Sequence, residues 1–169
     1  MSPSLLFLTG EYEHKLDSKN RLFIPGRLRD CIYPERDGLG FFLVFGPNKI
    51  LGLYPDKYYR RLAVSEEGQL VPGAELVDFE RVTFALASHL ELDPQNRLTL
   101  PAKMIERAQL GRDVVLIGAK DHIEFWDAKV WKNYLAGQLE KHEELLELGR
   151  QARRERPKQE EPTKSKRQR

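Results

Sequence analysis

Arg21 and Arg97 stand at the same place in two copies of one short segment. Leu16-Asp17-Ser18-Lys19-Asn20-Arg21-Leu22-Phe23-Ile24-Pro25 returns as Leu92-Asp93-Pro94-Gln95-Asn96-Arg97-Leu98-Thr99-Leu100-Pro101, with six of ten positions identical. A planar guanidinium with five donors suits phosphate and guanine, both of which it can meet with paired hydrogen bonds. An Asp at the first position of a type I turn accepts hydrogen bonds from the amides that follow. Asn tolerates the left-handed conformation that a three-residue hairpin loop needs at its last position, and Pro94 presets φ at the turn's next position. Two readings follow. Asp and Arg close their own turn by capping and an ion pair, or the Arg is offered to nucleic acid. Asp17 and Asp93 fit the first reading. Arg21 and Arg97 fit the second as well as the first, because an exposed ion pair adds little to stability.

Other chemistry is sparse. His14, His89, His122 and His142 show no metal-ligand spacing with one another or with the single cysteine, Cys31. The first two read as satisfied residues on a sheet face. Cys31 reads as a buried apolar thiol, and a lone cysteine suits a reducing cytoplasm. Gly38-Leu39-Gly40 is a turn rather than a phosphate loop, and no Ser or Cys nucleophile motif is present. No carboxylate sits in a setting apolar enough to raise its pKa plainly. The expectation is therefore a protein that is not an enzyme, with no cofactor, metal or small-molecule substrate.

The elements that must position the repeated turn are repeated too. Phe42-Leu43-Val44-Phe45-Gly46 matches Val114-Val115-Leu116-Ile117-Gly118, and Leu53-Tyr54 matches Phe125-Trp126. The plan is two homologous half-domains, 5–65 and 80–148, joined by a polar linker at 66–79. Lobes of this size are marginal alone, so a shared core or an oligomer is expected. In each copy, alternation predicts strands flanking the Asp-Arg turn. A short helix follows at 26–32 or 102–108, then a buried strand at 41–45 or 113–117. A returning strand is expected at 50–54 or 122–126, with a helix after Pro55 and another capped by Asp127. Residues 82–92 read as the strand opening the second copy. Val130, Trp131, Tyr134, Leu135, Leu139, Leu145 and Leu146 form one apolar stripe, read as core packing, with a partner-binding surface as the other reading. The fold class is α+β.

Of the 28 Lys and Arg residues in the chain, nine lie in 150–169 beside three Glu. Residues 149–169 therefore read as a disordered basic tail on a mildly acidic body, and such tails attract polyanions. Residues 1–10 carry only a short apolar run and no basic stretch, which predicts neither a signal peptide nor a membrane span.

The pattern Gly10-Glu11-Tyr12-x-His14-x-Leu16-Asp17-x-Lys19-x-Arg21-Leu22-x-Ile24-Pro25 resembles the MraZ family. Leu92-Asp93-x-x-x-Arg97-Leu98-x-Leu100-Pro101 and Ile123-Glu124-x-Trp126 resemble its second copy. The likeness covers about residues 8–145. It implies tandem repeats of the swapped-hairpin AbrB-type β-barrel, assembled into a homo-oligomeric ring. It also implies a cytoplasmic, nucleoid-associated transcriptional regulator that represses its own division and cell-wall operon by binding short direct repeats in promoter DNA. The family's Asp-x-x-x-Arg motifs fall on Asp17/Arg21 and Asp93/Arg97. The family usually carries Gly before the Arg, where this chain has Asn20 and Asn96. Arg21 and Arg97, with Lys19, Asn20 and Asn96, are the expected DNA contacts, joined by Arg27, Arg29 and Lys103 toward phosphates. Asp17, Asp93 and Pro94 shape the loops. A protein-interaction module with an acidic face is the alternative reading.

Overall fold

A computed structural model describes residues 5–64 and 74–155. The first repeat contributes β1 (Glu11–Lys15), β2 (Arg21–Phe23), α1 (Gly26–Arg29), α2 (Pro34–Asp37), β3 (Gly40–Phe45), β4 (Leu51–Pro55) and α3 (Asp56–Val64). After α4 (Ala74–Leu86), the second contributes β5 (Ser88–Glu91), β6 (Arg97–Thr99), α5 (Ala102–Ala108), β7 (Asp113–Gly118) and β8 (Ile123–Asp127). Two further helices, α6 (Ala128–Glu140) and α7 (His142–Glu155), follow. One compact unit ends at Trp131 and a second starts at Lys132.

The first turn connects β1 to β2, yet the two strands take partners elsewhere. β1 pairs antiparallel with β7, β3 with β5, and β2 with β6, so each of these ladders joins one repeat to the other. The large sheet runs β1-β7-β8-β4-β3-β5, and β2-β6 forms a separate two-stranded ribbon. Exchanging each strand for its counterpart in the other repeat reverses the order of the large sheet and leaves it otherwise unchanged, which is a pseudo-two-fold between β8 and β4. One core serves both copies. Leu16, Leu22, Ile24, Leu43 and Leu53 pack in a single buried cluster with Leu98, Leu100, Leu116, Ile123 and Phe125. Gly118 lets the N-terminal segment cross closely, since a Cβ there would stand 2.4 Å from the Thr9 amide nitrogen.

Most expected strands lie within a residue or two of their observed positions, and the departures are local. The stretch 82–92 is helix to Leu86 and strand only from Ser88. Leu76, Phe79, Thr83 and Leu86 follow helical spacing with no Gly or Pro between them, so local helix formation prevails until the Ser-His-Leu-Glu alternation begins. The first short helix stops at Arg29 rather than residue 32. The segment after it contains a helical turn, α2, started by Pro34 and tied by Asp37, whose carboxylate accepts the Tyr33 amide at 2.9 Å and two Arg36 hydrogen bonds. The apolar stripe is not core: Val130, Tyr134, Leu139, Leu145 and Leu146 are exposed, and the helix breaks at Lys141. Within α6 and α7 no residue is buried. Asp127 caps α6 as expected, accepting the Lys129 amide at 3.0 Å. Of the expected linker, residues 66–73 lie outside the described residues and 74–79 are the first turns of α4. Helix α7 runs through Glu155, into the stretch expected to be unstructured, and residues 156–169 lie outside the described residues. Cys31 is half-buried, and its thiol donates to the Arg27 carbonyl.

The face of the sheet away from this core is aromatic and ionic. Phe42 stacks on Tyr59 of α3, and Tyr54 stacks on His122 at 4.5 Å between ring centres. His122 lies 2.7 Å from Asp121 and 3.5 Å from Glu124, and Tyr58 donates to Asp121 at 2.6 Å. Burial alone would lower the imidazole pKa, but the two carboxylates more than offset it and the net shift is upward from 6.5. A folded-state pKa raised in this way adds stability that is fully present below the unfolded value and lost as pH rises through the folded one. His122→Ala should therefore cost more stability at pH 5.5 than at pH 8.5 in urea unfolding. An equal loss at both would leave only the stacking contribution.

Candidate nucleic-acid interface

The repeated segment folds into the same device twice. The Asp17 carbonyl accepts the Asn20 amide at 3.0 Å, and the Asp17 amide donates to the Arg21 carbonyl at 2.9 Å. The equivalent bonds at Asp93, Asn96 and Arg97 are 2.8 and 2.9 Å. Asn20 and Asn96 adopt φ of 59° and 60°, the left-handed state expected of them. Oδ1 of each Asp accepts two amides, from Lys19 and Arg21 in one loop and from Gln95 and Arg97 in the other. Each Asp thus ties the backbone of its own loop through both its carbonyl and its carboxylate.

The remaining carboxylate oxygen holds the arginine. Asp17 Oδ2 accepts Nε of Arg21 at 2.8 Å and Nη2 at 2.7 Å. Asp93 Oδ2 accepts Nε of Arg97 at 2.7 Å, while Nη2 of Arg97 turns to Gln95 Oε1 at 2.9 Å. Both readings of the Asp-Arg pair thus meet in one geometry: the ion pair exists, and it fixes the guanidinium's plane. Nη1 of neither arginine has a partner among the described residues. The Arg21 amide, with the Lys19 amide and the guanidinium beside it, lowers the Asp17 pKa. Burial would raise that of Asp93, but hydrogen bonds from Arg97 and Gln95 bring it below its usual value. Both carboxylates therefore stay charged to lower pH than an ordinary aspartate does.

The ribbon brings the two loops together. Its register is Arg21 opposite Thr99, Leu22 opposite Leu98 and Phe23 opposite Arg97. Leu22 and Leu98 are buried in the core, so Arg21, Phe23, Arg97 and Thr99 share the opposite face. The two arginines begin antiparallel strands, two register steps or about 7 Å apart along the ribbon. The Leu100 amide donates to the Asn20 carbonyl at 2.9 Å, locking the end of β6 to the first loop.

Other expected contacts are distributed around this centre. Lys19 is exposed in the first loop, and Pro94 is exposed in the second. Arg27 and Lys103 are exposed on α1 and α5, the helices that follow the ribbon strands. Arg29 lines a cleft with Asp93, Pro94 and Asn96, so it belongs beside the second loop although it lies in the first repeat. Phe23 and Thr99 were missed. The alternation of β2 carries the signal, since it puts Phe23 on the same face as Arg21. Gln95 was not among the expected contacts, and its side-chain carbonyl orients Arg97.

The left-handed asparagines allow a direct check of the loop. Asn96→Ala should destabilise the protein by roughly 1 kcal/mol through the strained φ, and Asn96→Gly should be near neutral. Chemical denaturation of the two variants decides; equal losses would mean that the amide, not the backbone, is what matters.

Comparison with known proteins came out as follows. A family model described as "MraZ protein, putative antitoxin-like" matches residues 7–73 and 83–148. A protein named "Transcriptional regulator MraZ" from Heliobacterium modesticaldum is 35% identical over 138 residues, covering 82% of this chain and 93% of the relative. Its namesake from Thermobifida fusca is 36% identical over 138 residues, with the same coverage. The one from Carboxydothermus hydrogenoformans is 34% identical over 140 residues, covering 82% of this chain and 93% of the relative.

Proposed function

The chain belongs to the MraZ family, and from that premise we propose that it is a sequence-specific DNA-binding transcriptional regulator whose paired Asp-x-x-x-Arg loops meet double-stranded DNA. The observation that carries this reading is the β2-β6 ribbon. It fixes two arginines on one outward face, each held by an Asp and each keeping Nη1 without a partner among the described residues. A two-stranded ribbon fits the major groove, where a guanidinium can meet guanine O6 and N7 or a phosphate.

The finer reading follows the same line. The regulator represses its own division and cell-wall operon through short direct repeats in the promoter. The interleaving of β1, β2 and β5 with the opposite repeat supports a swapped-hairpin AbrB-type barrel. Exposed Phe79, Val82 and Phe84 on α4, and the exposed stripe on α6 and α7, support a homo-oligomer, ring-shaped in this reading. One ribbon makes few contacts, so an oligomer engaging several repeats gains affinity through effective concentration. The protein acts in the cytoplasm at the nucleoid, and among the described residues no helix is long and apolar enough to cross a membrane. Lys19, Arg27, Arg29 and Lys103 add phosphate contacts.

Gel-shift titration on the DNA upstream of its own coding sequence tests the reading. Arg21→Ala should weaken binding about tenfold or more; binding as tight as the parent's removes that loop from the interface. Deleting residues 156–169 should flatten the dependence of affinity on salt while keeping sequence preference, and an unchanged slope removes the tail from the account.

A further inference from the structure

The ribbon is symmetric in backbone and unsymmetric in chemistry. At one end stands Arg21, with Lys19 in its loop and Thr99 as its cross-strand neighbour. At the other stands Arg97, with Gln95 in its loop and Phe23 across from it. Lys19 has only donors, so it cannot accept from Arg21, and like charge drives the two heads apart. Among the described residues Arg21 is accordingly held by Asp17 only, both Nε and Nη2 donating to Oδ2. Gln95 accepts Nη2 of Arg97 while Asp93 accepts Nε, so that guanidinium is fixed at two separate points. Phe23 leaves 53% of its surface in solvent on the same face, although a large apolar ring gains nothing there from water.

We propose, building on the DNA-binding reading above, that the two ends divide the work: the Arg97 end reads base edges, with Gln95 and Phe23 as specificity-determining residues, and the Arg21 end holds the phosphate backbone through Lys19. Base reading needs a donor pair held in one plane, because guanine offers O6 and N7 in a fixed direction. Gln95 and Asp93 supply that plane. Phe23 suits the C5-methyl of a thymine in the neighbouring pair, the one apolar group the major groove presents. The amide nitrogen of Gln95 remains a donor for a base acceptor. Phosphate accepts donors from many directions and favours net charge, which the Lys19 end provides. Thr99, smaller than Phe23, lets the backbone come close.

The test uses the full chain, its own upstream DNA, and a set of single base-pair variants of the best-bound site, with fluorescence anisotropy across a salt series. Gln95→Lys and Phe23→Thr each convert the second end toward the first. Both should fold as the parent does, since both positions are exposed, and circular dichroism checks this. Each should narrow the gap between the best site and its G·C or T·A variants by about tenfold, one good contact's worth. Lys19→Gln should weaken binding on every sequence alike and reduce the salt slope by about one. The division is overturned if Lys19→Gln changes base preference while Gln95→Lys and Phe23→Thr leave it intact, or if all three variants act uniformly on all sequences. A parent that binds its upstream DNA no better than scrambled DNA overturns the DNA-binding reading itself. A parent that discriminates while the variants behave otherwise than stated overturns only the division.

Discussion

Neither repeat can finish its own sheet. The β1, β2 and β5 strands each find their ladder partner in the opposite copy, and the hydrophobic cluster draws on both. That constraint governs everything else. It turns two sequences too short to bury much into one body with a single core. It also builds the β2-β6 ribbon, which exists only when the two copies meet. The two arginine loops are thus placed relative to each other by long-range pairing and cannot be adjusted separately. Losing the core contacts of Leu22 or Leu98 would disturb both ends at once, because the two leucines face each other at the ribbon's centre.

The loops themselves needed little of this context to be legible. Asp, Asn and Arg at their spacing describe a turn, and the structure forms that turn with the expected left-handed asparagines. Short-range chemistry is written in short-range sequence. The strands were legible for the same reason, through alternation. What could not be read was the choice of partner. Turn residues say that β1 and β2 are joined, not that they part to pair elsewhere, since swapped and unswapped hairpins share one hydrophobic pattern. Helix α4 was misread because Val82 and Phe84 favour strands locally, while the run as a whole has helical spacing. The stripe on α6 and α7 was misread for a different reason. Periodicity shows that a face is apolar and cannot show what covers it, and here the leucines stay exposed.

The Asp-Arg pair illustrates how two readings of one motif can be compatible. Seen as structure, the carboxylate spends both oxygens on its own loop. Seen as a binding element, the same bonds hold a guanidinium still and leave one nitrogen outward. Solvated arginines on long stems lose rotamer entropy on meeting a ligand; one already clamped has less to lose. The lowered carboxylate pKa is the electrostatic record of this clamp.

The pseudo-two-fold has a final consequence. Two identical ends on an antiparallel ribbon would fit a duplex equally well pointing upstream or downstream, as a palindromic reader does. Lys19 and Thr99 at one end, Gln95 and Phe23 at the other, remove that equivalence. A single protomer therefore has a polarity. In the DNA-binding reading proposed above, sites repeated head to tail would present the same orientation to each copy in turn, whereas inverted sites would demand that alternate copies be turned around.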